Sequence, residues 1–174
     1  MSYAIVTGAS AGIGKEIAIQ LAERGHNIIL TARRENRLQE LASEIRSRYQ
    51  VNVDYITADL AEVNAPDQIY EFCKNNNYDV EILINNAGYG LPKPFHEVPM
   101  EDEEKSLRVL AISVIALTKK FVPDLLARGG GKVMIVSSVA SFAPPSAIQT
   151  LYGPIKTFMN RFSDSININY KRKG

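Results

Sequence analysis

Thr7-Gly8-Ala9-Ser10-Ala11-Gly12-Ile13-Gly14 is the stretch on which the reading of this chain turns. A continuous apolar run, Tyr3–Thr7, stops at its first glycine. After its last glycine the apolar residues Ile17, Ala18 and Leu21 continue one helical face that begins at Ile13. A strand therefore turns directly into a helix. Glycine permits such a turn and a close backbone approach to a phosphate, while the start of the helix offers free N–H groups at the positive end of its dipole. The stretch reads as a cradle for the pyrophosphate of a dinucleotide. A nucleoside-triphosphate loop is excluded, because that motif needs Ser or Thr after its Gly-Lys pair and Glu16 follows Gly14-Lys15 here. The glycine spacing is GxxxGxG, which also differs from the common GxGxxG fingerprint.

Outward from this turn, short β runs alternate with helical runs. Strands are predicted at Tyr3–Thr7, Ile28–Thr31, Val51–Thr57, Val80–Ile84 and Lys132–Ser137. Helices are predicted at Ile13–Arg24, across the stripe Leu38, Leu41, Ala42, Ile45 and Tyr49, at Ala65–Asn75, at Met100–Arg128 with an interruption near Pro123, and at Leu151–Tyr170. Parallel strands need a helical crossover between them, so five strands alternating with helices predict an α/β fold: a doubly wound, Rossmann-like parallel sheet in three layers. Residues 1–174 read as a single dinucleotide-binding domain.

The end of the second strand bears on which dinucleotide. An NAD site usually places an acidic residue there for the ribose hydroxyls. This chain has Thr31-Ala32-Arg33-Arg34, and arginine suits a 2′-phosphate through charge-assisted hydrogen bonds. NADP(H) is the predicted cofactor, bound by Arg33 and Arg34.

Composition removes other classes. With 20 Lys and Arg against 19 Asp and Glu, nothing draws the chain to nucleic acid regardless of sequence. Cys73 is the one cysteine and lies among Ile69, Tyr70 and Phe72, where it reads as a packed small hydrophobe. Two histidines, His26 and His96, give little for a metal site, and none is predicted. The longest apolar stretch, Val109 to Leu117, is far below the ~20 residues of a membrane span, so a cytoplasmic protein without membrane partners is expected.

With these residues assembled, the chain resembles the short-chain dehydrogenase/reductase family from Ser2 to about Tyr170. Its glycine motif is matched by Thr7–Gly14, which implies that Gly8, Ser10, Gly12, Ile13 and Gly14 bind the cofactor. Asp59-Leu60 matches the family's adenine contact, and Asn85-Asn86-Ala87-Gly88 matches its fourth-strand motif, placing Asn86, Ala87 and Gly88 beside the cofactor. Ser138, Tyr152 and Lys156 match the catalytic serine and the YxxxK pair. The implied activity is hydride transfer between NADP(H) and a small carbonyl or secondary-alcohol substrate. Tyrosine is a poor proton shuttle at its unperturbed pKa of about 10. Lys156, one helical turn away, favours the phenolate and by resemblance also holds the nicotinamide ribose. Ser138 would hydrogen-bond the substrate oxygen, where charge develops.

Three departures from the family qualify that implication, at Leu110, inside the YxxxK stretch and at the end of the chain. Where the family carries a relay asparagine, counting back from Thr118 gives Leu110; Ser106, one turn earlier, is a candidate substitute. Pro154 and Ile155 replace small residues inside the YxxxK stretch. Lys171-Arg172-Lys173-Gly174 reads as a helix end, so the chain is read as truncated, with the family's last strands missing and Val133-Met134-Ile135-Val136 left as an exposed edge. The long helix is apolar nearly all round, from Leu107 to Leu117, which predicts a homodimer or a dimer of dimers built on it and on the closing helix. The loop Gly90–His96 is a candidate pocket wall through Leu91 and Phe95. The competing reading is an NADP(H)-binding protein without turnover.

Overall fold

In the computed structural model, residues 2–145 and 149–172 are described. They form β1 (Ser2–Thr7), α1 (Gly12–Glu23), β2 (Asn27–Ala32), α2 (Glu35–Arg48), β3 (Val53–Thr57), α3 (Ala65–Asn75), β4 (Asp79–Asn85), α4 (Met100–Leu107), α5 (Ser113–Ala127), β5 (Lys132–Ile135) and α6 (Tyr152–Tyr170). All five strands pair in parallel, in the order β3-β2-β1-β4-β5. The doubly wound sheet expected from the sequence is present.

Alternation within the strands explains their continuous apolar runs. Ala4, Val6, Ile28 and Leu30 face one way and pack with Ala18 and Ala22 of α1 and Leu38 and Ile45 of α2. Ile5, Ile29 and Leu83 face the other way, onto Ile69 and Cys73 of α3 and Leu117 and Phe121 of α5. Both faces are covered, so the middle positions of β1 and β2, Ala4–Val6 and Ile28–Leu30, are apolar on both faces. Cys73 is buried here, and desolvation pushes its thiol up to about 12, in keeping with a packed hydrophobe.

The strand order reverses between β1 and β4, and that reversal places the site. The sheet runs β1-β2-β3 to one side and β4-β5 to the other, so the crossovers leave a crevice beyond the carboxyl ends of β1 and β4. Thr7 and Asn85 end their strands at that edge, and Thr31 stands one residue before the end of β2.

Two expectations need correction. The long helix is not interrupted at Pro123, which sits inside an unbroken α5. The carbonyl that the proline leaves without a donor belongs to Lys119, an exposed residue that water can serve. The irregularity lies earlier, in a π-helical turn over Arg108–Ile112 that joins α4 to α5, where the Ser113 hydroxyl donates to Val109 O at 2.9 Å. The fifth strand is shorter than its apolar run and ends at Ile135; among the described residues it pairs only with β4, and Met134 is 47% exposed. It is an edge, as expected. α6 ends at Tyr170, and Lys173 and Gly174, part of the predicted helix stop, lie outside the described residues.

Candidate active site

The glycine turn is held in place from β4. Thr7 Oγ1 accepts the backbone N–H groups of Asn86 (2.9 Å) and Ala87 (3.0 Å), and Asn86 Nδ2 donates to Thr7 O at 2.9 Å. Gly14 sits under this lattice: a Cβ there would stand 2.4 Å from Asn86 Nδ2 and 2.5 Å from Gly8 O. Only glycine fits. Gly12 has a φ of 57°, and a Cβ on it would face open space, so the conformation rather than crowding selects glycine there. α1 begins after Ala11 without a side-chain cap, which leaves its first N–H groups available to an anion.

Beside this turn lies a cavity of about 550 Å³ that joins most of the predicted residues. Gly8, Ser10, Ile13, Arg33, Arg34, Asp59, Leu60, Asn86, Ala87, Gly88, Tyr152 and Lys156 line it. Gly12 and Gly14 shape the turn without forming its wall. At one end Arg34 Nη2 donates to Ser10 Oγ at 2.9 Å, and Arg33 stands 4.0 Å from the Asp59 carboxylate. At the other end Lys156, at the buried base of α6, donates from Nζ to Val136 O at 2.7 Å. That amine lies 5.8 Å from the centre of the Tyr152 ring, and burial lowers its pKa from the usual lysine value.

Ser138 is not part of the cavity wall. Its neighbour Ser137 is, with a buried hydroxyl that makes no hydrogen bond among the described residues. Ser138 instead opens a short 3₁₀ turn over Val139–Ser141, and its Oγ accepts the Ala140 N–H at 3.2 Å. Thr31 supplies a second buried, unpaired hydroxyl to the wall, and Tyr89 closes the β4 side. The sequence pointed to neither Thr31 nor Ser137. Thr31 is the last polar residue of β2 and Ser137 lies two residues past the end of β5, and a polar residue closing an apolar run is the available signal. The loop Gly90–His96 does not reach the cavity: Leu91 and Phe95 are absent from its lining, and Phe95 is exposed.

The two odd residues explain one another. Leu110 is buried against Gly88, where a Cβ would come within 2.7 Å of Leu110 Cδ2. Ile155 turns away from the cavity and belongs with Leu110, Ala111, Val114 and Met159 to one apolar cluster. The polar path that an asparagine would open behind Lys156 is filled with hydrocarbon. Ser106 is buried one turn earlier but does not line the cavity, so the geometry gives it no substitute role.

A free helix start, two arginines and two buried hydroxyls unpaired among the described residues, around one cavity, fit an anionic dinucleotide. The arrangement is a candidate dinucleotide site on the doubly wound fold. The family model "short chain dehydrogenase" matches residues 2–174, and the chain belongs to that family. It is 34% identical over 179 residues to a very-long-chain 3-oxoacyl-CoA reductase from Anas platyrhynchos, covering 99% of this chain and 56% of that protein. The chain thus spans about half the length of such relatives. It superposes with a TM-score of 0.93 on a short-chain dehydrogenase from Sphingobium yanoikuyae in complex with NADPH, at 29% identity over 100% of this chain and 67% of that one. L-Sorbose reductase from Gluconobacter frateurii, complexed with NADPH and L-sorbose, gives 0.92 at 28% identity, covering 99% and 65%. Among the described residues, no helix is long and apolar enough to cross a membrane.

Proposed function

We propose that this chain reduces a carbonyl group with NADPH as hydride donor, and that its substrate carries an extended apolar part of the acyl kind. The observation that carries the reading is the single cavity that brings the glycine turn and Arg33–Arg34 together with Tyr152 and Lys156. Gly8, Ser10 and Ile13 would hold the pyrophosphate. Arg33 and Arg34 would take the 2′-phosphate, Asp59 and Leu60 the adenine, and Asn86, Ala87 and Gly88 the nicotinamide half. When bound, NADPH supplies a hydride to the carbonyl carbon.

The chain's own residues manage the proton. Tyr152 gives its hydroxyl proton to the carbonyl oxygen. The Lys156 ammonium, fixed by Val136 O, stabilises the phenolate this leaves behind. Ser138 Oγ accepts from the Ala140 N–H, which keeps its own proton free for the developing alkoxide. Val139 and Phe142, each 85% exposed on the segment between Ser138 and Tyr152, support an apolar substrate rather than a sugar or a small ketone. The 3-oxoacyl-CoA reductases among the relatives favour the same class.

Leu107, Ile112 and Phe158 are 40%, 45% and 52% exposed on the π-bulged helix and on α6, which supports a homodimer through these elements. The test of the function is NADPH oxidation followed at 3-oxoacyl thioesters of increasing chain length, beside small ketones and sugars. Turnover that rises with chain length is expected. NADPH binding without turnover on any carbonyl would favour a cofactor-binding protein, the reading for which the hydrocarbon behind Lys156 speaks.

A further inference from the structure

We propose that Asn160 and Ser141 are positioning residues that fix Ser138 relative to Tyr152 and Lys156, an assignment that rests on the reductase reading above. Ser138 and the Tyr-Lys pair come from different elements. Ser138 follows β5, whereas Tyr152 and Lys156 stand on α6, and a long segment separates them in sequence. Ser138 contributes nothing to the cavity wall, so the cavity cannot hold it in register. A cross-tie does.

The tie is a directed chain of hydrogen bonds. Asn160 Nδ2 on α6 donates to Ser141 Oγ at 2.9 Å, and Ser141 Oγ donates to Ser138 O at 2.6 Å. Ser138 O also accepts the Ser141 N–H at 3.1 Å, closing the turn on itself. Thr157 Oγ1, again from α6, lies 3.1 Å from both Ser141 O and Gly153 O and has one proton to donate to either. Gly153 sits beneath the same turn, where a Cβ would come 3.1 Å from Ala140 O. Asn160 lies one helical turn beyond Lys156, so a single helix carries the Tyr-Lys pair and the anchor for the serine.

Proton bookkeeping fixes the direction. Ser141 has one hydroxyl proton, and a carbonyl can only accept, so that proton goes to Ser138 O. Ser141 Oγ is then an acceptor, and Asn160 must present its amide nitrogen. A carboxylate in place of that amide has no proton to give. It competes for the Ser141 proton and takes it from Ser138 O. Asn160→Asp, nearly the same shape, should therefore release the turn, whereas Ser141→Thr keeps the hydroxyl and should preserve it.

The experiment measures amide hydrogen exchange, NADPH binding and steady-state kinetics for the full chain and for Asn160→Asp, Ser141→Ala and Ser141→Thr. Losing a neutral hydrogen bond of this kind is worth about threefold to tenfold. Exchange at the Ala140 and Ser141 amides should quicken by about that factor in the first two variants, and kcat should fall comparably. NADPH affinity and the pH profile should hold, because Tyr152 and Lys156 are untouched, and Ser141→Thr should restore both readouts. Unchanged exchange and kcat in Asn160→Asp would overturn the assignment, as would a loss of NADPH affinity equal to the loss of kcat. If the unaltered chain turns over no carbonyl, the reductase reading fails and the positioning role fails with it; quickened exchange would then leave only a structural tie.

Discussion

Replacing Arg33 and Arg34 together by alanine should cost NADPH affinity while leaving NADH affinity nearly unchanged. Both side chains line the cavity at its glycine-turn end, yet they are held differently. Arg34 is oriented by its 2.9 Å bond to Ser10 Oγ, so its guanidinium is set beside the phosphate-binding turn before any ligand arrives. Arg33 is 68% exposed and stands 4.0 Å from Asp59, whose carboxylate already offsets part of its charge. A hydrogen bond to a charged group contributes about 1.5–3 kcal/mol, and solvent screening of these exposed side chains keeps the pair together near the value of one such bond. The double variant should therefore weaken NADPH by roughly tenfold to a hundredfold. Arg34→Ala alone should account for most of that, because only Arg34 is preset. Titration of intrinsic NADPH and NADH fluorescence at fixed ionic strength reads both constants, and added salt should weaken NADPH more than NADH. Equal weakening of the two cofactors would refute the 2′-phosphate assignment. A larger effect from Arg33→Ala would refute the argument from orientation.

The remaining predictions concern pH and assembly. Burial lowers the Lys156 pKa, so between its folded value and the 10.5 of an unperturbed lysine the unfolded chain holds a proton that the folded chain has lost. Without cofactor, stability should accordingly rise with pH across that window, by up to about 1.4 kcal/mol per unit, and denaturant titrations of Lys156→Met should lose this rise. Ile112→Glu places a charge on a surface that is 45% exposed in the single chain, so it should leave folding intact and shift light scattering from dimer to monomer. A monomeric unaltered protein at micromolar concentration would argue against that helix face as an interface.

Most of the fold was legible because its strands are covered on both faces. Ile5 and Ile29 need apolar neighbours on one face, Val6 and Leu30 on the other, so the runs are unbroken and easily read. The end of β5 is hard to read because Val136 continues the apolar pattern past Ile135. Its N–H still donates to Asn85 O at 2.9 Å, while its own carbonyl is taken by Lys156. The interruption in the long helix was assigned to Pro123 because proline is the one local breaker a sequence displays. A π turn at Arg108–Ile112 has no such marker, since it depends on what packs against Leu110. The same holds at the site. Glycine spacing, Arg33, Arg34, Tyr152 and Lys156 could be read from order and residue type. The partnership of Leu110 with Ile155 could not, because it joins residues 45 positions apart in sequence through tertiary packing alone. Ser141 and Asn160 were passed over for a similar reason, since a serine in a loop and an asparagine on a helix carry no signal until the turn brings them to 2.9 Å.

Tyr152 is the proposed proton donor, and Tyr152→Phe tests that assignment most directly. The ring and its place in the cavity wall remain, and only the proton is removed. NADPH binding should be retained while carbonyl reduction falls by about 10²–10⁴, the range for a lost general acid. Undiminished reduction by the phenylalanine variant, measured beside unaltered protein that does turn over, would contradict the account.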